Sequence, residues 1–193
     1  MAYNPDIHHR RSIRLQGYDY SRTGAYFITI CTQNRECLFG EIVDGKMALN
    51  PAGVMIQTVW DEIPDHYTGI EIDEFVVMPN HVHGIIVIVA PTGNTGSLSL
   101  GDMVHRFKTM TTKRYADGVK QSGWRRFPGK LWQRNYWEHI VRNEMELGRI
   151  REYIHNNSTQ WKYDRLNLGK RKTGNPGMVC EPVYNYPTEG WMV

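Results

Sequence analysis

Fifteen residues constrain this chain's fold more than any others: Glu74-Phe75-Val76-Val77-Met78-Pro79-Asn80-His81-Val82-His83-Gly84-Ile85-Ile86-Val87-Ile88. Two β-branched and aliphatic runs flank a Pro-Asn turn signal, which predicts two central strands joined by a tight connection. His81 and His83 stand at the start of the second strand. Strand side chains alternate, so both imidazoles face the same way. Two imidazoles on one face, with a small apolar residue between them, form half of a divalent-metal site. The pair alone fits polar strand residues beside a turn equally well; the rest of the chain must decide.

With 193 residues, the chain is expected to form one domain. Phe75–Ala90 is interrupted by Asn80, His81, His83 and Gly84, so no membrane span is expected. No apolar stretch precedes Ala25, which argues against a secretory signal. Cys31, Cys37 and Cys180 are scattered and odd in number, fitting a reduced, cytoplasmic protein better than a disulfide framework.

Along the chain, residues 1–24 form a basic arm carrying Arg10, Arg11, Arg14 and Arg22, with Tyr18 and Tyr20 available to anchor it. Ala25–Thr32 reads as a central strand. Leu38–Val43 and Lys46–Leu49, joined by Asp44-Gly45, read as a hairpin. Asn50-Pro51 caps and opens a helix to about Glu62, with an apolar stripe of Val54, Met55, Thr58 and Val59; Pro64 is expected to end it. Ile70–Met78 and the His-bearing strand follow, then a flexible link at Pro91–Gly96. A second helix, capped by Ser97 or Ser99, carries Leu100, Met103, Val104, Phe107 and Met110 or Thr111 and is expected to stop at Gly118. Gly118–Lys130 then reads as a polar loop, and Leu131–Val141 as a strand region. Asn143 caps a last helix to about Asn157, with Leu147, Ile150 and Ile154 on one face. Without the hairpin, the order is β-α-β-β-α-β plus a C-terminal helix. That is an α+β, ferredoxin-like split βαβ plan: a four-stranded antiparallel sheet with helices on one face. Residues 25–161 form the domain, and 162–193 a polar, Gly/Pro-containing tail.

Between His105 and Arg134 lie nine basic residues, Arg106, Lys108, Lys113, Arg114, Lys120, Arg125, Arg126, Lys130 and Arg134, and one acid, Asp117. Trp124, Phe127 and Trp132 interleave with them. Basic residues with aromatics suit single-stranded nucleic acid, through phosphate neutralisation and base stacking. On the last helix Tyr153 and Asn157 are four apart, hence one turn apart on one face. A tyrosine hydroxyl beside a divalent cation can attack a phosphodiester and keep the 5′-phosphate. Asn157 is the preferred third ligand through its amide oxygen, ahead of His155, His139 and Glu138.

This combination of Met78-Pro79-Asn80-His81-Val82-His83, a basic helix and loop, Leu131–His139, and Tyr153-Ile154-x-x-Asn157 resembles the HUH single-tyrosine transposases. It is most similar to the REP-associated tyrosine transposases. The likeness covers roughly Arg10 to Trp161, and Arg11–Leu15 with Gly17–Tyr20 resembles one branch of the group. It implies His81 and His83 as metal ligands, Tyr153 as nucleophile, and Asn157 completing or orienting a Mg2+ or Mn2+ site. The implied reaction is cleavage and rejoining of single-stranded DNA near hairpins, through a 5′-phosphotyrosine and a free 3′-hydroxyl. The basic arm and the Lys108–Arg134 region would grip DNA, with Arg10, Arg11 and Arg14 reading the hairpin base or its adjacent guide bases. One departure is Asn157-Ser158, where many relatives carry Asn-Pro; serine lets the helix fray or extend. A monomer and a homodimer both remain open. So do a silent hairpin-binding regulator, a metal-dependent hydrolase using water, and a structural module.

Overall fold

The computed structural model describes residues 14–15, 17–89 and 98–167. Arg10, Arg11, the Pro91–Gly96 link, Ser97, Cys180 and the tail from Leu168 lie outside the described residues. The elements are β1 (Gly24–Cys31), β2 (Gly40–Val43), β3 (Lys46–Leu49), α1 (Pro51–Asp61), α2 (Ile63–His66), β4 (Ile70–Met78), β5 (His81–Ile88), α3 (Leu100–Ser122), β6 (Trp137–Val141) and α4 (Glu144–Gln160).

The two apolar runs around Pro79-Asn80 form β4 and β5, paired antiparallel with Met78 opposite His81, so the connection is a two-residue turn. Backbone bonds grip that turn: Thr32 N–H donates to the Asn80 carbonyl at 2.9 Å, and Leu38 N–H to that of Pro79 at 2.9 Å. β5 also pairs with β1, and β1 with β6, giving the order β4-β5-β1-β6 with every pairing antiparallel. This is the ferredoxin-like plan expected from the element order. β2 and β3 form a separate hairpin, whose turn uses positive φ at Asp44 (50°) and Gly45 (74°).

Strand alternation divides the core in two. Tyr26, Ile28, Ile30, Val82 and Ile86 pack with the α1 and α3 side. Phe27 and Ile85 face the other way, against Leu147, Ile150 and Ile154 of α4. The tyrosine-bearing helix therefore covers the sheet face opposite α1 and α3. Each of its three buried aliphatic anchors contributes about 1.5–3 kcal/mol.

Several expectations need correction. In α1 the buried stripe is Ala52, Ile56, Val59 and Trp60, whereas Val54 and Thr58 face solvent. Trp60 sets that rotation by stacking on Phe75 (centroids 4.2 Å, planes 9° apart). α1 does end at Asp61, ahead of Pro64 as expected, but Pro64 itself opens a separate short helix, sitting in the first turn of α2, where a missing N–H costs nothing. α3 is closed by a Ser99–Asp102 capping box and runs past Gly118 to Gly123, which takes the left-handed conformation (φ 66°). Gly118 is there for packing: a Cβ at that position would lie 2.4 Å from the Trp124 ring. β6 is shorter than expected; Leu131 and Trp132 are buried ahead of it, and Trp132 bridges to Thr32. With Ser158 in place of proline, α4 continues to Gln160.

Candidate active site

β5 is the buried strand that presents His81 and His83 on the α4 face, both 0% exposed. A chain of hydrogen bonds orients His81. Asn80 Nδ2 donates to the carbonyls of Arg35 (3.1 Å) and Leu166 (2.8 Å), so its Oδ1 is an acceptor. That oxygen lies 2.8 Å from His81 Nδ1, which must therefore carry the proton, leaving a lone pair on Nε2. His83 Nδ1 lies 2.8 Å from Thr29 Oγ1, a hydroxyl that serves either tautomer by donating or accepting. The two Nε2 atoms converge at 3.0 Å.

Burial keeps both rings neutral. It holds His81 well below its ordinary pKa, reinforced by His83 and the nearby Arg35, and it lowers His83 to about 3. Neutral imidazoles are the form that binds metal.

α4 brings Tyr153 to this pair. Its cap is Asn143, whose Oδ1 accepts from Glu146 N–H at 2.9 Å, and Arg151 ties it to Asp73 of β4. Tyr153 Oη lies 3.3 Å from His83 Nε2, with its ring edge-on to Phe27. Asn157, one turn on, is 4% exposed, and its Oδ1 is buried without a hydrogen-bond partner among the described residues. The four central residues expected from the sequence thus lie on one face: His81 and His83 from β5, Tyr153 and Asn157 from α4.

The lesser candidates lie elsewhere. His139 is paired with Glu146 (2.6 Å), and His155 is exposed. Glu138 faces the other side of the sheet, near Tyr20 and Arg14, and burial raises its pKa. Sequence reasoning missed Asp164, which follows the Trp161–Tyr163 turn and lies with its Oδ2 3.8 Å from His81 Nε2. It also passed over Asn80 and Thr29 as polar partners of the imidazoles. Their position beside the His strand was a usable signal for Asn80 alone.

The basic residues separate into two groups. Lys108 Nζ donates to the carbonyls of Gln133, Arg134 and Asn135 at 2.9, 3.3 and 3.2 Å, and burial lowers its pKa to about 8. Arg114 is bidentate on Glu62, Arg125 is paired with Glu36, and Arg106 covers the Tyr67 ring. Arg14 donates to Tyr136 Oη at 2.9 Å. Lys113, Arg126, Lys130 and Arg134 are exposed and make no ion pair among the described residues. The interleaved aromatics are not open stacking platforms. Trp132 is buried, with Nε1 donating to Thr111 Oγ1 at 2.8 Å, and Trp124 and Phe127 pack edge-on to Tyr115. Tyr18 and Tyr20 do anchor the arm, against Tyr26. No helix among the described residues is long and apolar enough to cross a membrane.

Comparison with known proteins follows the same lines. An uncharacterised protein of Haemophilus influenzae is 42% identical over 183 residues, covering 85% of this chain and 96% of its own. A second Haemophilus influenzae protein, named "Putative REP-associated tyrosine transposase", is 23% identical, covering 75% of this chain and 76% of its own. Among solved structures, that of a REP-associated tyrosine transposase bound to a REP hairpin aligns with a TM-score of 0.51 at 20% identity, covering 78% of this chain and 74% of that one. That alignment shows a shared fold. The family described as "Transposase IS200 like" matches residues 21–157, the span that carries the whole sheet, both imidazoles and the tyrosine helix as far as Asn157. The chain therefore belongs to the IS200-like transposase family and is a DNA transposase.

Proposed function

We propose that this transposase is a metal-dependent single-stranded DNA endonuclease and strand transferase, acting beside hairpin-forming palindromes through a phosphotyrosine at Tyr153. The observation that carries the reading is the approach of Tyr153 Oη to 3.3 Å from His83 Nε2, beside the converging imidazole nitrogens.

The donors fit a divalent cation. Adjacent ligands of an octahedral ion at about 2.1 Å lie about 3.0 Å apart, and the two Nε2 atoms are separated by 3.0 Å. The buried Asn157 Oδ1, unpartnered among the described residues, is an acceptor that a cation would satisfy. His81, His83 and Asn157 would hold Mg2+ or Mn2+. Bound there, the ion would polarise the scissile phosphate as a Lewis acid.

This chain's own groups do the rest. Tyr153 Oη attacks phosphorus, a P–Oη bond forms, and the bond to the 3′-oxygen breaks. The partly buried phenol gives up its proton to water, and the departing 3′-oxygen takes one from water, so the released strand ends in a 3′-hydroxyl. Rejoining reverses the exchange: a 3′-hydroxyl attacks and the phenol is regenerated. One phosphoester replaces another at each step, so no nucleotide hydrolysis is needed.

Arg10, Arg11 and Arg14 are assigned to reading the hairpin base or its adjacent guide bases, and the exposed Lys113, Arg126, Lys130 and Arg134 to phosphate contacts. A relative of the same fold is described as bound to a REP hairpin, which supports a hairpin as the ligand.

The test uses end-labelled single-stranded hairpin oligonucleotides with Mg2+ or Mn2+ on a denaturing protein gel. Wild type should give a covalent adduct; Tyr153→Phe and the His81→Ala/His83→Ala double variant should not. Cleavage surviving Tyr153→Phe would identify a hydrolase. Salt-sensitive binding without an adduct would identify a silent regulator.

A further inference from the structure

Beyond α4 the chain folds back across the two imidazoles instead of running out into solvent. The Trp161–Tyr163 turn lays the Trp161 ring against His81 (centroids 5.9 Å). Asp164 comes next. Its Oδ1 accepts the Leu166 N–H at 2.7 Å, which fixes the carboxylate and leaves Oδ2 directed at the imidazole pair, 3.8 Å from His81 Nε2. His81, His83 and Asp164 each offer a ligand atom, all within 4.8 Å of one another.

Leu166 closes the arrangement. Its N–H holds the Asp164 carboxylate, and its carbonyl accepts from Asn80 Nδ2, the amide whose oxygen orients His81. The Leu166 side chain is 2% exposed, so apolar burial seats the turn. Asp164 and His81 are thus fixed by opposite ends of one buried residue.

An ordinary His–Asp hydrogen bond does not account for this. His81 gives its proton to Asn80 from Nδ1, so Nε2 turns a lone pair toward a carboxylate oxygen. At 3.8 Å the contact is also too long for a hydrogen bond, and a lone pair facing a carboxylate oxygen is a pairing that a cation between them would satisfy.

We infer that Asp164 is a protein ligand of the divalent ion, and that the turn through Leu166 is the device that delivers it. The inference rests on the proposed metal role of His81 and His83. A carboxylate supplies the negative charge that two neutral imidazoles and an amide lack. Oxygen ligands of that kind suit hard ions such as Mg2+ and Mn2+. The metal site then extends past the family match, which ends at residue 157, and occupancy of the site and docking of the turn support each other.

The test is Mn2+ binding by the full chain without DNA, followed by loss of the free-Mn2+ electron paramagnetic resonance signal. Asp164→Ala should weaken binding at least tenfold. Asp164→Asn keeps the acceptor for Leu166 N–H, and with it the turn, but loses the charge. It should also weaken binding at least tenfold while leaving the melting temperature within about 2 °C. Tyr153→Phe should bind Mn2+ as wild type does. Wild-type affinity in both Asp164 variants, with binding abolished in His81→Ala/His83→Ala, would overturn the Asp164 assignment and leave the histidine site standing. Failure of wild type to bind Mn2+, or full binding by the double histidine variant, would overturn both.

Discussion

Lys108 separates a structural cation from a DNA-binding one. In the sequence it belongs to the basic stretch assigned to DNA; in the fold its ammonium plugs three carbonyls at the turn leading to β6. The Gln133 bond, at 2.9 Å and part-buried, is the strongest and is worth about 1.5–3 kcal/mol as a charged hydrogen bond. The bonds to Arg134 and Asn135, at 3.3 and 3.2 Å and exposed, add about 0.5 kcal/mol each. The cost of burying the charge, which also lowers the pKa to about 8, offsets part of this sum. Lys108→Met keeps most of the stem and removes all three bonds, so a net loss of about 1–3 kcal/mol is expected. Urea denaturation followed by tryptophan fluorescence would show it as a lower midpoint with an unchanged slope. The salt dependence of hairpin binding should stay as in wild type, whereas Lys130→Ala should reduce its slope by about one. An unchanged midpoint combined with a slope reduced by about one would refute the structural role and restore Lys108 to the DNA surface.

Three further outcomes follow from the site and its supports. Asn80→Ala removes the acceptor for His81 Nδ1–H and the donor to the Leu166 carbonyl, and should lower Mn2+ affinity about 10–100-fold in calorimetry. Gly84→Ala places a methyl 2.6 Å from the Trp60 ring and 2.8 Å from Phe75, so denaturation should show a loss of about 1–3 kcal/mol. The metal-free protein should lose stability as pH falls below about 6.5. There the unfolded imidazoles take up protons while His83, lowered to about 3, and His81, also well below its usual value, do not. Between pH 6.5 and 5 the loss should approach about 2 kcal/mol per imidazole, and a flat denaturation profile over that range would contradict the buried neutral pair.

Features governed by local chemistry were legible in the sequence. Pro79-Asn80 between two β-branched runs yields the β4–β5 turn, and Asn50-Pro51 opens α1 with the expected side-chain cap on Gly53 N–H. Strand and helix periodicities put His81 with His83 and Tyr153 with Asn157. Features set by partners distant in sequence were not legible. The α1 stripe turns on Trp60 meeting Phe75, and Gly118 reads as a stop until Trp124 is seen packed on it. Charge along the sequence could not show that Lys108 faces inward onto carbonyls or that Arg114 belongs to Glu62. Asp164 sits in a polar stretch with no motif, and only the fold-back after α4 brings it to His81.

The most direct measurement is mass spectrometry of the peptide carrying Tyr153 after wild type has been incubated with a hairpin-flanked single-stranded oligonucleotide and Mn2+. The account predicts a peptide heavier by the 5′-phosphorylated downstream fragment, attached at Tyr153, with the upstream fragment recovered bearing a 3′-hydroxyl. Cleaved DNA with an unmodified Tyr153 peptide, or an adduct at another residue, would contradict it.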